Sequence, residues 1–193
     1  VRNINLVVSS SSPQEILTAF SKFPEVEVVQ FKDKSNARYS LTSGMEIHLQ
    51  IASDRTFPFS LYQLTGNLDH WNAMVKKAAS MDLELTDQGL RRNSKIVPCE
   101  EEEGIFDALG LDIIPPELRE GQGEIEAAES RTLPHLVEGK DIRGIFHVHS
   151  AYSDGTKSIK TMAEAAKKMG FSYMGLSDHS QSAGYAGGLT AEK

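Results

Sequence analysis

A change of hydrophobic rhythm at residue 142 constrains this chain more than any other feature. A short apolar run, Ile142–His147, precedes a helical pattern over about Ser158–Met169 that Gly170 stops, and a second run follows at Tyr173–Leu176. Strand, helix and strand in that order make one βαβ unit, whose two strands lie parallel because the helix carries the chain back to its starting edge. Parallel strands end on one rim of their sheet, where α/β folds place their sites. His147-Val148-His149 ends the first strand and Asp178-His179 the second, with Ser153-Asp154-Gly155 following the first on the same rim. Residues two apart on a strand share a face, so His147 and His149 are expected to reach one point. Imidazole with carboxylate suits Zn, Mn or Fe, and a phosphate oxygen can complete the coordination. Such a cluster lowers the pKa of bound water for attack on a phosphoester. The other three of the 6 histidines, His48, His70 and His135, lack such company and read as ordinary surface or core side chains.

Upstream, residues 1–52 read as a β-α-β-β-β block of antiparallel character, with strands at 4–8, 26–31, 37–41 and 45–52. Ser12, Pro13 and Glu15 open its helix as a capping box, and Ile16, Leu17, Phe20 and Phe23 form the apolar stripe. Pro58 ends the sheet region and a helical stretch leads to Gly66. Asn67 caps a helix over 68–81 that turns Leu68, Trp71, Val75 and Ala78 or Ala79 toward a core. Leu83–Leu85 and Lys95–Val97 are expected to pair around Asp87-Gln88-Gly89. Glu100 to Glu103 open a helix bearing Ile105, Phe106 and Leu109, as a solvated acidic N-terminus that favours the helix dipole. Ile113–Gly121 contains Pro115-Pro116 and reads as a rigid extended connection. Gly123–Glu129 reads as one short helix, and Ser130–Asp141 as a linker.

Length and composition narrow the class. A chain of 193 residues makes one large domain or two small ones. With 39% apolar and 24% charged residues it is neither a disordered tail nor a membrane protein. The single Cys99 excludes an internal disulfide and a cysteine-cage zinc site, and fits a reducing, cytoplasmic setting. A net charge of −7 argues against an autonomous DNA-coating module. It leaves room for local basic surface at Lys32/Lys34/Arg38, Lys76/Lys77 and Arg91/Arg92/Lys95. The chain opens on a strand with no Met and no leader, and stops just after another strand, so a piece of a longer protein is expected.

The motif stretches His147–Gly155 and Ser177–Ser180 resemble the first two motifs of the PHP (polymerase and histidinol phosphatase) phosphoesterases. Pro115–Gly121, Gly123–Ala128 and Ala186–Leu189 resemble bacterial family X DNA polymerases, in which a polymerase core precedes a PHP domain. The resemblance runs over nearly the whole chain and is strongest from about residue 100 onward. It implies an α/β chain: an α+β palm and thumb of a nucleotidyltransferase-like core, then the first βαβ unit of a PHP β/α barrel. The implied division is 1–66 palm, 67–122 thumb, 123–141 linker and 142–193 start of the PHP domain. By the same resemblance the parent protein is a DNA-repair enzyme. Its partner would be DNA, gapped or at 3′ ends, with no membrane; the oligomeric state stays open. His147, His149, Asp154 and His179 match metal positions for Mn, Zn or Fe, and Asp178 would orient His179. Lys34, Ser35, Arg38 and Gly66 match nucleotide-binding positions.

The palm departs from its family. The resemblance implies two Mg²⁺ ions held by three aspartates, and the matching positions here are Asn3, Asn5 and Glu46. Asn keeps the shape but removes a full negative charge, and Mg²⁺ is a hard cation that prefers carboxylates in strict geometry. Gln63 and Leu64 stand where the family has a Tyr-Phe pair under the nucleotide sugar. Nucleotidyl transfer is therefore expected to be lost, and Mg²⁺ at the palm to bind poorly. Three functions stay open: a metal-dependent phosphoesterase or exonuclease at DNA ends, a non-catalytic DNA-binding scaffold, and a PHP phosphatase on a small phosphorylated metabolite. The family's further Glu, His and Asp-x-His ligands come from later strands, and a β/α barrel takes roughly 200 residues or more. These residues alone are expected to bind metal weakly and to lack nuclease competence.

Overall fold

Alternating apolar residues build the first sheet in the computed structural model, which describes residues 3–192. Its elements are β1 (Asn3–Ser9), α1 (Pro13–Phe20), β2 (Val26–Lys32), β3 (Asn36–Leu41) and β4 (Glu46–Ala52), with strand order β1-β4-β3-β2. β3 runs antiparallel to β2 and β4, but β1 pairs parallel with β4, placing Asn3 opposite Glu46 and Asn5 opposite His48. The antiparallel expectation holds for β2, β3 and β4 and fails only for β1, for a topological reason. α1 carries the chain across the sheet to its far edge, and two antiparallel steps bring β4 back beside β1 in the same direction.

One face of this sheet buries Ala37, Tyr39, Ile47, Leu49 and Ile51 against Leu17, with Ile16 and Phe20 packed alongside. Tyr39 is fully buried, donates its hydroxyl to the Leu17 carbonyl at 3.1 Å, and packs its ring 4.9 Å from Phe20. Strand alternation turns Asn3, Asn5, Arg38, Glu46, His48 and Gln50 to the other face. Ser12 does sit at the N-cap of α1, but its side chain makes no capping bond. Its backbone N–H donates instead to Ser10 Oγ at 3.0 Å.

A second core follows in the same compact unit, Val1–Leu133. It is built by α2 (Phe57–Leu64), α3 (Leu68–Ala79), β5 (Glu84–Thr86), β6 (Gly89–Arg92), β7 (Lys95–Val97), α4 (Glu103–Ala108) and α5 (Glu124–Glu129). Asn67 caps α3, accepting the His70 N–H at 2.8 Å. The buried stripe of α3 is His70, Met74 and Ala78; Trp71 and Val75 only flank the core, and Leu68 is exposed. β5 and β7 do not pair with each other, since β6 lies between them and pairs with both. The stretch expected as a 123–141 linker begins inside this core: α5 buries Ile125 and Ala128 there, and the compact units divide at Leu133 and Pro134.

The second unit, Pro134–Lys193, holds the βαβ motif: β8 (Gly144–Val148), α6 (Ile159–Lys168) and β9 (Tyr173–Leu176). β8 and β9 pair in parallel, with Gly144 opposite Tyr173 and Val148 opposite Leu176. Ser158 caps α6 by accepting the Thr161 N–H at 3.2 Å, and Gly170 follows its end with φ of +89°. Among the described residues, no helix is long and apolar enough to cross a membrane.

Candidate metal centre

The ends of β8 and β9 bring His149, Asp154 and His179 together, with one ligand atom from each lying within 4.8 Å of the others. Asp154 sits between the imidazoles, its Oδ1 3.1 Å from His149 Nδ1 and its Oδ2 3.3 Å from His179 Nε2. His149 Nδ1 is buried and makes no hydrogen bond despite that proximity. A buried polar atom without a partner is costly. A divalent ion relieves it, because neutral imidazole nitrogens and a carboxylate oxygen form a borderline donor set suited to Zn, Mn or Fe. The residues therefore fit the expected ion, with His149, Asp154 and His179 as its holders.

His147 stands beside this group rather than in it. Its ring centroid is 5.0 Å from that of His149, and its side chain is exposed. The shared-face expectation fails because the register is irregular between Ile145 and Val148, and His147 takes φ of +61°. That left-handed backbone breaks the strict alternation that would put His147 and His149 on one face.

Asp178 is corrected as well. It does not hydrogen-bond His179. It accepts the Ser150 N–H at 2.7 Å and the hydroxyls of Ser150 and Ser153, both at 2.6 Å. These donors, the Ser150 hydroxyl foremost and then that of Ser153, hold its carboxyl below the ordinary aspartate range. Asp178 thus ties the end of β9 to the loop that carries His149 and Asp154. Gly155 closes this loop, because a Cβ there would strike the His149 carbonyl. Asp178→Ala is expected to weaken metal affinity about 10–100-fold, as loss of a supporting partner commonly does; a Zn²⁺ titration checks it.

The positions expected to hold a palm's metal ions do not fit a two-ion site. Asn3 and Asn5 face Glu46 and His48 across β1 and β4, leaving Glu46 as the one carboxylate of the expected triad. A cavity of about 250 Å³ on this polar face is lined by Asn5, Arg38 and His48 among others. Lys34, Ser35 and Gly66 lie outside its lining. Lys34 and Ser35 form the β2–β3 turn, in which Asp33 accepts the N–H groups of Ser35 and Asn36 at 2.8 and 2.6 Å. Gly66 is small for packing: a Cβ there would lie 3.0 Å from the His70 ring and 3.1 Å from Arg119 Cβ.

The second core hides polar groups that the sequence did not announce. Arg119 is 1% exposed, gives Nη1 to Glu102 at 2.6 Å and to Thr65 at 2.5 Å, and gives Nε to the Ile114 carbonyl at 2.9 Å. Its guanidinium lies over Tyr62 and Phe106, 4.9 and 5.4 Å from their ring centres. Beside it His70 bridges the Tyr62 hydroxyl at 2.5 Å and Glu124 at 2.6 Å. Burial is the main cause holding the His70 imidazole below its ordinary pKa, against the opposing pull of Glu124. The neutral ring then donates from Nδ1 to Glu124 and accepts the Tyr62 proton at Nε2. Burial alone would raise the Glu124 carboxyl, but bonds from His70, its own backbone and the N–H groups of Gly121 and Gln122 together hold it low. A signal existed only in part, as Pro115–Gly121 and Gly123–Ala128 carry the family resemblance without revealing these pairings.

Residues 60–120 match the family model described as the DNA polymerase beta thumb, and residues 146–187 match that of the PHP domain. The chain thus joins a polymerase-type thumb to PHP sequence. It is 31% identical over 199 residues to the DNA polymerase/3′-5′ exonuclease PolX of Bacillus subtilis (strain 168), a match that takes in 100% of this chain and 34% of that relative. A crystal structure of Leishmania infantum polymerase beta, a ternary P/T complex, aligns with a TM-score of 0.47 at 16% identity, covering 61% of this chain and 59% of that one. The chain is thus similar to a polymerase that carries a PHP domain, and it spans about a third of the Bacillus subtilis relative's length.

Proposed function

We propose that this chain comprises the later palm, the thumb and the opening of the PHP domain of a DNA-repair protein that hydrolyses phosphoesters at DNA 3′ ends. The convergence of His149, Asp154 and His179 in PHP sequence carries the reading. A divalent ion held there supplies an activated water for attack on phosphorus. His147, one ring away, is available as a further ligand. A DNA end is favoured over a small phosphorylated metabolite because a polymerase thumb precedes the site, and because the Bacillus subtilis relative is named a 3′-5′ exonuclease. The palm is read as inactive in nucleotidyl transfer, since Asn3 and Asn5 bring no charge to hold Mg²⁺.

The test uses the full-length polypeptide on a 3′-labelled oligonucleotide with Mn²⁺. Hydrolysis is expected, with a loss of about 100-fold or more in His179→Ala, because removing a ligand loosens the ion that activates the attacking water. No primer extension is expected with Mg²⁺ or Mn²⁺. Hydrolysis indifferent to His179→Ala, or extension abolished by Asn3→Ala, contradicts the reading.

A further inference from the structure

Tyr185 stands beside the candidate metal centre without offering it a ligand, and we propose that its ring is a stacking platform for the base of the substrate strand's terminal nucleotide. This rests on the reading of a site that hydrolyses DNA 3′ ends, and adds what positions the substrate there. Tyr185 is 90% exposed, although large aromatic side chains ordinarily bury most of their area. Its ring centroid lies 5.9 Å from that of His179 in an edge-on arrangement.

The backbone that carries this ring is pinned. Tyr185 sits in the 3-10 turn Gly184–Ala186. Before it, the Ala183 N–H donates to the Ser180 carbonyl at 2.9 Å, and the Ala183 carbonyl accepts the N–H groups of Ala186 and Gly188 at 3.0 and 3.2 Å. Beyond it, the Leu189 N–H donates to the His179 carbonyl at 2.7 Å, and Ser180 and Leu189 form a parallel bridge. Gly188 leaves no room for a side chain, because a Cβ there would strike the Ser180 carbonyl. A Cβ on Gly187 would lie 3.6 Å from the carbonyl oxygen of Ser153, the residue before Asp154. The turn is thus fastened to the strand end that bears His179 and lies against the loop that bears Asp154. Ala186 is its buried residue, which leaves the Tyr185 ring free of the packing. A tyrosine on fixed backbone has only two torsions to freeze, so it offers contact area at small entropic cost. Its π face suits any nucleobase, whereas a phosphorylated sugar has no such face to stack. A sugar ring separates a nucleotide's base from its phosphate, so a phosphate at the ion leaves its base within reach of Tyr185.

The test uses the full-length polypeptide with Mn²⁺ and an oligonucleotide whose 3′ terminus is 2-aminopurine, a base whose fluorescence is quenched on stacking. A methylene-bridged last linkage keeps it from being cleaved. Quenching is expected on binding, relieved in Tyr185→Ala and kept in Tyr185→Phe. On the ordinary linkage, Tyr185→Ala should raise KM about 5- to 150-fold with kcat little changed, as loss of one stacked base from uniform binding requires. A terminal abasic unit should erase the difference between Tyr185→Ala and the unaltered protein, which damage to the fold would not do. Absence of quenching, quenching and KM indifferent to Tyr185→Ala, or an equal loss on the abasic end overturns the platform. Quenching relieved by Tyr185→Ala without hydrolysis of the ordinary linkage upholds the platform and contradicts the hydrolytic reading alone.

Discussion

Arg119→Ala is expected to cost the first unit about 3–5 kcal/mol, the range for breaking a buried ion pair by removing one partner. The side chain is 1% exposed and its charge is answered by Glu102, itself only 17% exposed. Alanine removes the cation, leaves the Glu102 carboxylate partly buried and alone, and opens a void beside Tyr62 and Phe106. It also frees the Ile114 carbonyl and the Thr65 hydroxyl, which join the segment before Arg119 to the α2–α3 turn. Arg119→Met should recover the packing share, and combining it with Glu102→Gln should recover more, because the stranded charge is then gone as well. Urea unfolding followed by the single Trp71, which packs against this core, reads the change. A loss below about 1 kcal/mol, the worth of an ordinary surface pair, contradicts the account.

Acidification is expected to destabilise the same core through His70 and Glu124, and both act in the same direction. His70 has a folded pKa below its ordinary value of 6.5, so the unfolded chain binds a proton first. Its contribution is present above about that value and is lost as pH falls through the lower folded one. Glu124 is likewise held below its ordinary 4.5, so its share is lost further into acid. Unfolding free energy should therefore fall continuously as pH drops from 7 towards 4. Glu124→Ala should cost about 3 kcal/mol at neutral pH, since it leaves the buried His70 Nδ1–H and the Gly121 and Gln122 N–H groups without their acceptor. It should also flatten the acid limb below about pH 4.5. Stability that is flat or rising on acidification contradicts the assigned protonation states.

The sequence was most legible where periodicity and punctuation agree. The βαβ motif announced itself because two short apolar runs flank a helix with a Ser cap and a Gly stop. Its parallel pairing then followed from connection rules rather than from side chains, and placed His149 and His179 on one rim. The direction of β1 was not legible, because alternation says which face a residue takes but not which strand it pairs with. β6 was missed because Gly-Leu-Arg-Arg is too short to show a period. Glu102 reads as one of four solvated glutamates until Arg119, distant in sequence, is seen to fold onto it. The place of His147 beside the cluster follows from a left-handed backbone that nothing in a histidine announces. Asp178 neighbours His179 in sequence, yet its three serine bonds are a property of how the loop folds back.

The central claim is that His149, Asp154 and His179 form one metal centre. A calorimetric titration of the chain with Zn²⁺ and with Mn²⁺ tests it most directly. One ion is expected, bound weakly by three ligands, and lost in His179→Ala while folding is kept, as read by far-UV circular dichroism. Failure of either ion to bind, or binding unchanged by His179→Ala, would contradict it.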